Sequence, residues 1–203
     1  MTARLVVLAS GSGSNLQAIV DACGSRCPGV PPRLAAEVVG VVCDQPAAFA
    51  LERAVAAGVP GVCIPRQPGE TRAEYDVRLA AGVAGHDPDW VVLAGFMRVL
   101  SRVFLDRFPA RVVNLHPALP GQLPGVRAIE RAYDEWLGGY RTHSGVMVHL
   151  VPDEGVDDGP VLAADTVPFH PGDSLHDFAQ RMHQAEHRLL VDTLITLTKE
   201  TAR

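Results

Sequence analysis

The sequence lacks the residue clusters that hold metal ions or redox-active disulfides. Its four cysteines, Cys23, Cys27, Cys43 and Cys63, show no CxxC spacing, and its eight histidines are scattered without an HExxH pattern. Zinc sites and reactive dithiols use such spacings, so both kinds of site are disfavoured. We expect no metal ion, and we interpret the cysteines as free thiols, which behave as small hydrophobic residues when buried.

The chain also lacks an excess of positive charge and a long apolar run. Its net charge is −5, which gives no general attraction to a nucleic acid. Residues 1–10 hold a short apolar run that leads directly into a glycine-rich segment. That run is far shorter than the roughly 20 apolar residues of a membrane-spanning helix. We therefore expect a cytoplasmic protein that binds neither nucleic acid nor membranes, and small anions stay open as ligands.

What the chain does contain is the pattern of an α/β protein. Its 203 residues, 47% of them hydrophobic, suit one domain with a substantial core. Short β-branched runs alternate with helical patterns through residues 4–116, which predicts parallel strands covered by helices on both faces. The predicted strands are 5–9, 38–43, 62–64, 91–94 and 112–115, followed by 145–151 and 160–167.

The last two predicted strands differ from the others because only a polar loop joins them, and they are expected to pair antiparallel. A final helix is expected from Ser174 towards Lys199, with Ser174 and Asp177 as its capping pair. The predicted fold class is therefore α/β, with a mostly parallel, doubly wound, Rossmann-like sheet. Helices cover both of its faces, and antiparallel strands are added in the C-terminal part.

A glycine-rich segment, residues 10–16 with the sequence SGSGSNL, follows the first predicted strand and opens a helix. Backbone N–H groups at the positive end of a helix are suited to phosphate. A dinucleotide fingerprint requires a third glycine where this chain has Leu16, so NAD is disfavoured and a single phosphate is favoured. The alternative is a tight turn rich in helix-capping residues.

Two polar side chains end the fifth predicted strand. Asn114 and His116 are two residues apart, so both project from the same face of the strand. At the carboxyl end of such a strand, an Asn N–H can stabilise an oxyanion and a His can move a proton near neutral pH. The alternative is that backbone hydrogen bonds satisfy both side chains.

Acidic residues form two further candidates. The acidic loop, residues 153–160 with the sequence DEGVDDGP, is a plain turn unless it folds over the fifth strand, where a carboxylate would raise the pKa of His116. Glu186 falls within the apolar stripe of the last helix, beside Met182 and Leu189. Either a structural hydrogen bond or a ligand contact would explain an acid on that stripe.

The segment 94–100, AGFMRVL, is either core or the wall of a site for a flat aromatic ligand.

Together these segments resemble the phosphoribosylglycinamide formyltransferases, folate-dependent enzymes of purine synthesis. The resemblance covers nearly the whole chain and rests on five ordered motifs, GSGSNLQAI, AGFMRVL, NLHPAL, DEGVDDGP and QAEHRLL. It implies a single formyltransferase domain over 1–203, with a phosphate-substrate-binding half over 1–116 and a folate-loop and C-terminal helix half over 117–203. It also implies formyl transfer from the co-substrate 10-formyltetrahydrofolate to the amine of 5-phosphoribosylglycinamide.

The resemblance assigns roles to individual positions. The implied catalytic trio is Asn114, His116 and Asp157. Asn114 and a protonated His116 would stabilise the oxyanion, while Asp157 would hold His116 charged and help the amine to lose a proton. The implied contacts to phosphoribosylglycinamide are Gly13, Ser14, Asn15 and Glu186. The implied contacts to the formyl folate are Arg72, Met97, Arg98, Val99, Leu100, Asn114, Asp153, Glu154, Gly155, Val156 and Asp157.

The chain departs from the family pattern at residues 118–125, at Met147 and at Pro152. Two alternatives stay open beside this interpretation. One is another formyl-folate formyltransferase or hydrolase with the same trio, and the other is a non-catalytic sensor that binds a sugar phosphate. The expected partners are small-molecule substrates, and the expected state is a monomer or a homodimer.

Overall fold

A seven-stranded sheet forms the centre of the structure, a computed structural model that describes residues 2–24 and 31–201. Its strands are β1 (Ala3–Ala9), β2 (Ala36–Cys43), β3 (Gly61–Cys63), β4 (Trp90–Leu93), β5 (Val112–His116), β6 (His143–Leu150) and β7 (Val161–Pro168). The helices are α1 (Ser14–Cys23), α2 (Phe49–Ala56), α3 (Arg72–Ala84), α4 (Arg102–Leu105), α5 (Ala128–Leu137) and α6 (Leu175–Thr201). Cys27 lies outside the described residues, and Cys23, Cys43 and Cys63 are free thiols.

The strand order is β3-β2-β1-β4-β5-β6-β7, which confirms the predicted fold class. Strands β1 to β5 are parallel to one another, whereas β6 pairs antiparallel with β5 and β7 pairs antiparallel with β6. The chain runs outward from β1 to β3 and then returns to β4 on the other side of β1. In such sheets, ligands bind outside the carboxyl ends of the strands at the point where the order reverses.

Helices cover both faces of the sheet because successive side chains of a strand point to opposite faces. Leu5 and Val7 pack with α1, α2 and α6, while Val6 and Leu8 pack with α3 and α4. A strand buried on both faces needs apolar residues at every position, which explains the continuous apolar run of β1. The loop after β1 therefore follows a strand that is packed on both faces.

The C-terminal helix begins where the sequence predicts. The Asp177 N–H donates to Ser174 Oγ at 3.2 Å, and the Ser174 N–H donates to Asp177 Oδ2 at 3.0 Å. These reciprocal bonds satisfy N–H groups that a helix start leaves unpaired. Phe178 and Met182 are fully buried in a cluster with α5, β6 and β7. Among the helices of the described ranges, none is both long and apolar enough to cross a membrane.

Candidate functional site

A cavity of about 530 Å³ opens at the carboxyl ends of β1, β4 and β5, where the strand order reverses. Residues 10–15, 93–100, 114–117 and 125–130 line it, together with His149, Val151, Asp153, residues 155–157, His183 and Glu186. All the predicted site residues therefore lie at one cavity, except Arg72 and Glu154, which are not part of its lining.

The glycine loop, residues 10–15, forms one end of the cavity. Gly13 has φ 68° and serves as the N-cap of α1, but no side chain caps the helix and no acidic residue occupies its first turn. The first N–H groups of α1 are thus free of side-chain caps and face no negative charge from the helix itself. Asn15 is only 8% exposed, and its buried Oδ1 has no hydrogen-bond partner. An uncapped helix start is suited to an anionic group of a ligand, and the unsatisfied Oδ1 is suited to a hydrogen-bond donor of that ligand.

The other end of the cavity is organised around Asp157. Its Oδ1 accepts from Asn114 Nδ2 at 3.0 Å, and its Oδ2 accepts from the Gly125 N–H at 2.8 Å. Nδ1 of His116 lies 3.3 Å from Oδ2, and the His116 and Asp157 side chains are only 4% and 11% exposed. The acidic loop does fold over the end of β5, and the three residues of the predicted trio are in mutual contact through the carboxylate.

Two opposing effects act on the pKa of His116. Its Nε2 is 3.1 Å from the Leu123 carbonyl oxygen, and a carbonyl only accepts, so Nε2 carries a proton. Burial lowers the pKa of His116, and this effect is larger than the opposing effect of the Asp157 carboxylate. We expected Asp157 to hold the ring charged, but the net shift favours the neutral ring because desolvation disfavours the cation.

Asp157 is shifted towards its ionised form. Burial raises the pKa of Asp157, but the neighbouring imidazole of His149, the hydrogen bond from the Gly125 N–H and the neighbouring imidazole of His116 together lower it below the ordinary value. The positive φ of 55° at Asp157 is a conformation that Asp and Asn adopt more readily than most residues. Asp157 is therefore favoured as a carboxylate, and it lies next to a His116 imidazole whose pKa burial lowers.

His149 is a member of this cluster that the sequence did not reveal. It lies in β6 directly opposite Asn114 in the antiparallel pairing, and its Nε2 is 3.1 Å from Asn114 Nδ2 and 3.7 Å from Asp157 Oδ1. Its Nδ1 is 2.8 Å from the Leu150 carbonyl oxygen, which fixes the proton on Nδ1 in the neutral ring. Finding it from sequence would have required the β5–β6 register, which no local pattern supplies.

The unusual segment 118–125 meets the catalytic cluster through its backbone. The contacts are the Leu123 carbonyl oxygen, near His116, and the Gly125 N–H, which binds Asp157. Met147, the second departure, is buried and pairs opposite His116 in β6. Because the contacts of residues 118–125 use main-chain atoms, the departure in side chains leaves the arrangement of the trio intact.

Glu186 is buried, at 6% exposed, and lines the cavity from α6. Its Oε2 is 2.6 Å from Nδ1 of His183, one helical turn earlier. This hydrogen bond raises the pKa of His183 above its ordinary value. Both explanations offered for an acid on the apolar stripe therefore apply, since Glu186 has a structural partner and also borders the cavity.

Apolar side chains form a wall between the two ends of the cavity. Met97 and Val99, which follow β4, are 62% and 39% exposed, and Val126 and Val156 face the same space at 63% and 43% exposed. Exposed apolar side chains gathered around one cavity are typical of a ligand groove. Arg98 in the same segment is held by Asp44, whose Oδ2 accepts from its Nε at 2.6 Å.

Arg72 and Glu154 lie outside the cavity and fasten the acidic loop to the rest of the domain. They form an ion pair with each other, and Glu154 Oε1 also accepts from the Arg102 N–H at 2.9 Å. Arg102 Nη1 donates in addition to the Pro152 carbonyl oxygen at 3.0 Å. The structure thus connects these two predicted folate contacts to the position of the loop that carries Asp157.

In the part of the chain that the structure describes, no group of three or more His, Cys, Asp or Glu side chains is arranged to hold a metal ion.

Comparisons with known proteins show which family the chain is similar to. Residues 3–194 match the family described as formyl transferase. Phosphoribosylglycinamide formyltransferase of Schizosaccharomyces pombe is 41% identical over 204 residues, covering 96% of each chain. Glycinamide ribonucleotide transformylase 1 from Geobacillus kaustophilus has a solved structure with a TM-score of 0.86 and 38% identity, covering 98% of this chain and 100% of that one.

Longer relatives contain the same region as one part. Trifunctional purine biosynthetic protein adenosine-3 of Drosophila melanogaster is 38% identical over 199 residues, and the chain spans 14% of its length. The family match nonetheless extends over almost the whole chain, and the Schizosaccharomyces pombe relative has a comparable length. The chain therefore belongs to the formyl transferase family.

Proposed function

We propose that this chain transfers the formyl group of 10-formyltetrahydrofolate to the amine of 5-phosphoribosylglycinamide, in de novo purine biosynthesis. The observation that carries the proposal is that the glycine loop and the cluster of Asn114, His116 and Asp157 line the same cavity. A phosphorylated substrate bound by the loop would extend towards the carboxyl end of β5. The names of the relatives in Schizosaccharomyces pombe and Geobacillus kaustophilus support this choice of substrate.

In this proposal the phosphoribosyl part of the substrate lies between α1 and α6. The N–H groups of Gly13, Ser14 and Asn15 bind the phosphate, since the start of α1 has no side-chain cap. Glu186 accepts hydrogen bonds from ribose hydroxyl groups, because its buried carboxylate borders the cavity. A buried acid that binds hydroxyl groups also discriminates against substrates without them, since it would then lose partners.

The folate fits the apolar wall of the cavity. Met97 and Val99 offer exposed apolar surface to a flat ring, and Val156 faces it from the acidic loop. Arg98, Leu100, Asp153 and Gly155 also line this part of the cavity. Arg72 and Glu154 contribute by holding the loop, as their ion pair suggests. When bound, the folate supplies the formyl group, whose carbon exchanges its bond to the folate nitrogen for a bond to the glycinamide nitrogen.

Asn114 stabilises the negative charge that develops on the formyl oxygen, and His116 adds positive charge beside it once its pair with Asp157 has taken up the proton of the amine. Both N–H groups of Asn114 have partners in the free site, namely Asp157 and His149. One of these N–H groups must therefore turn to the substrate oxygen. A preorganised donor of this kind typically contributes about 100- to 1000-fold to the rate.

Asp157 and His116 act as one proton acceptor. The attacking nitrogen must lose a proton, and the free site holds an ionised Asp157 beside a His116 whose pKa is lowered. A proton placed on Oδ2 or Nδ1 is shared across the 3.3 Å between them. Direct transfer or one bridging water would deliver it to the pair, which then returns it to the leaving nitrogen.

The proposal treats residues 1–203 as a single formyltransferase domain. The half 1–116 supplies the glycine loop and β5, and the half 117–203 supplies the acidic loop and α6. A cytoplasmic location and a monomeric or homodimeric state belong to the same proposal. Free thiols at Cys23, Cys43 and Cys63 suit a reducing compartment.

Purified protein mixed with 5-phosphoribosylglycinamide and 10-formyltetrahydrofolate should yield the formylated ribonucleotide and tetrahydrofolate, measured by chromatography. His116→Ala is the matched negative control. Folded protein that formylates a different amine, or that hydrolyses the formyl folate without an acceptor, would contradict the assignment. A protein that binds the ribonucleotide without any turnover would instead be a sugar-phosphate sensor.

A further inference from the structure

Three successive carbonyl groups of the glycine loop, those of residues 11–13, have partners on the side away from the cavity or along α1. The Gly11 carbonyl accepts from the Ala50 N–H at 3.1 Å, and the Ser12 carbonyl accepts from Arg53 Nε at 2.8 Å. The Gly13 carbonyl accepts from the Gln17 N–H at 3.0 Å, which is the first hydrogen bond of α1. In a trans peptide the C=O and the following N–H point in opposite directions. The bond from Arg53 to Ser12 therefore directs the Gly13 N–H away from α2.

Arg53 is itself held in a fixed orientation on α2. Its Nη1 donates to Gln17 Oε1 at 3.1 Å, and its guanidinium lies 5.0 Å from the centre of the Phe49 ring. Among the described side chains, those of residues 2–24 and 31–199, no carboxylate lies within ion-pair distance of Arg53. An un-neutralised cation thus stands directly behind the loop. Arg53 does not line the cavity, so it acts through the loop rather than on the ligand.

We propose that Arg53 is a positioning residue for the phosphate subsite of the glycine loop. It fixes the Ser12–Gly13 peptide with its N–H towards the ligand and adds positive potential behind the loop. The buried, unpartnered Oδ1 of Asn15 independently marks this loop as a ligand site. The inference rests on the proposed function, because it assumes that the phosphate of the substrate binds there.

A planar guanidinium is needed for this arrangement. Its separate N–H groups donate hydrogen bonds to Ser12 and Gln17 at the same time, and its face lies over the Phe49 ring. A lysine ammonium is instead a single point charge on a flexible stem. Arg53→Lys should keep the charge but lose one of the two bonds. Arg53→Met keeps most of the stem and removes both the charge and the donors.

The test compares Arg53→Met and Arg53→Lys with Glu52→Gln, an exposed control on the same helix. Arg53→Met should raise KM for the phosphorylated substrate about tenfold, as expected for loss of a charge-assisted hydrogen bond. It should leave kcat and the KM for formyl folate within about twofold, since neither the trio nor the apolar wall touches Arg53. Arg53→Lys should fall between wild type and Arg53→Met, and Glu52→Gln should match the wild type.

Two additional ligands separate positioning from general damage. Glycinamide riboside, which lacks the phosphate, should bind the wild type and Arg53→Met equally, and inorganic phosphate should bind Arg53→Met more weakly by calorimetry. An unchanged KM in folded Arg53→Met, or an equal loss of affinity for the riboside, would overturn the inference.

If the wild-type protein shows no turnover, only the proposed reaction is rejected, because the phosphate titration still tests the role of Arg53. If Arg53→Met does not fold, Arg53→Lys is decisive, and an unchanged phosphate affinity there would reject the positioning role.

Discussion

The two ends of the cavity are built in different ways. At one end, Asn114, His116 and Asp157 contribute side chains from β5 and the acidic loop, and His149 joins them from β6. At the other end, the glycine loop offers the uncapped start of α1, which comes from a single continuous segment. The first end depends on the chemistry of individual side chains, and the second depends on the shape of the backbone. Substitutions should therefore change the rate at the first end and substrate affinity at the second.

The largest effect is expected for Asp157→Asn. Asparagine keeps the shape and tolerates the positive φ of 55°, but it cannot accept the proton of the attacking amine. We expect kcat to fall by about 100- to 1000-fold, in the range found for general acid–base groups. The KM for the phosphorylated substrate should change little. Asp158→Asn, at the exposed neighbouring position, should retain near-normal kcat, and equal losses in the two variants would remove Asp157 from its proposed role.

Gly13→Ala should show the complementary pattern at the glycine loop. A Cβ at position 13 would lie 2.7 Å from the Ala50 Cβ, and φ there is 68°, so the loop or α2 must move. Such strain costs on the order of 1–3 kcal/mol. We expect a lower free energy of unfolding in urea and a KM for the phosphorylated substrate raised by more than tenfold, while kcat falls much less.

Gly11→Ala is the matched control for stability, because a Cβ at position 11 meets no atom within 4 Å. Its free energy of unfolding should match that of the wild type. If Gly13→Ala lowers kcat as strongly as Asp157→Asn does, the two ends are not separable in the way the comparison implies.

The fold could be predicted well from the sequence because its signals are local. The buried strands are short runs rich in Val, Leu and Ala, and the predicted strands lie within two residues of those in the structure at both ends. The capping pair of Ser174 and Asp177 likewise needs only neighbours in sequence. In contrast, the pairing of β5 with β6 depends on long-range register, and that pairing brings His149 to Asn114.

The part of the site that depends on local spacing was also predictable from the sequence. The spacing of Asn114 and His116 on one strand placed both at the cavity without knowledge of the whole fold. Asp157 came from a resemblance, and its contact with His116 required the folded acidic loop. The protonation of His116 was not predictable, because the net shift depends on how deeply the ring is buried. Burial and charge pairing act in opposite directions there, and only the structure shows which is larger.

The pH dependence of kcat/KM tests the catalytic end more finely. The proposed proton acceptor requires neutral His116 in the free enzyme, and burial places its pKa below the ordinary value of 6.5. Activity should therefore be level above pH 7 and fall about tenfold per unit only below the lowered pKa, as His116 takes up a proton. A rate that decreases as the pH rises through 6 to 7 would show that protonated His116 is required.

The substrate phosphate complicates this profile, because its second ionisation lies near pH 6. Repeating the measurement with Asp157→Asn separates the two groups. The Asp157 carboxylate raises the pKa of His116, so removing its charge should move the fall in activity caused by His116 to lower pH. A fall in activity that stays at the same pH in Asp157→Asn belongs to the substrate phosphate.

The smallest effect is expected where the acidic loop is fastened from outside the cavity. Arg72→Ala removes the ion pair with Glu154, but Arg102 still holds the same carboxylate and the Pro152 carbonyl. Because exposed ion pairs contribute little, we expect the KM for formyl folate to rise only about two- to fivefold, with kcat nearly unchanged. Arg33→Ala, which breaks a somewhat more exposed pair with Asp192 away from the cavity, should leave the kinetics as they are. A large fall in kcat for Arg72→Ala would mean that this single pair sets the position of Asp157, and the catalytic end would then depend on a surface contact as well as on its own side chains.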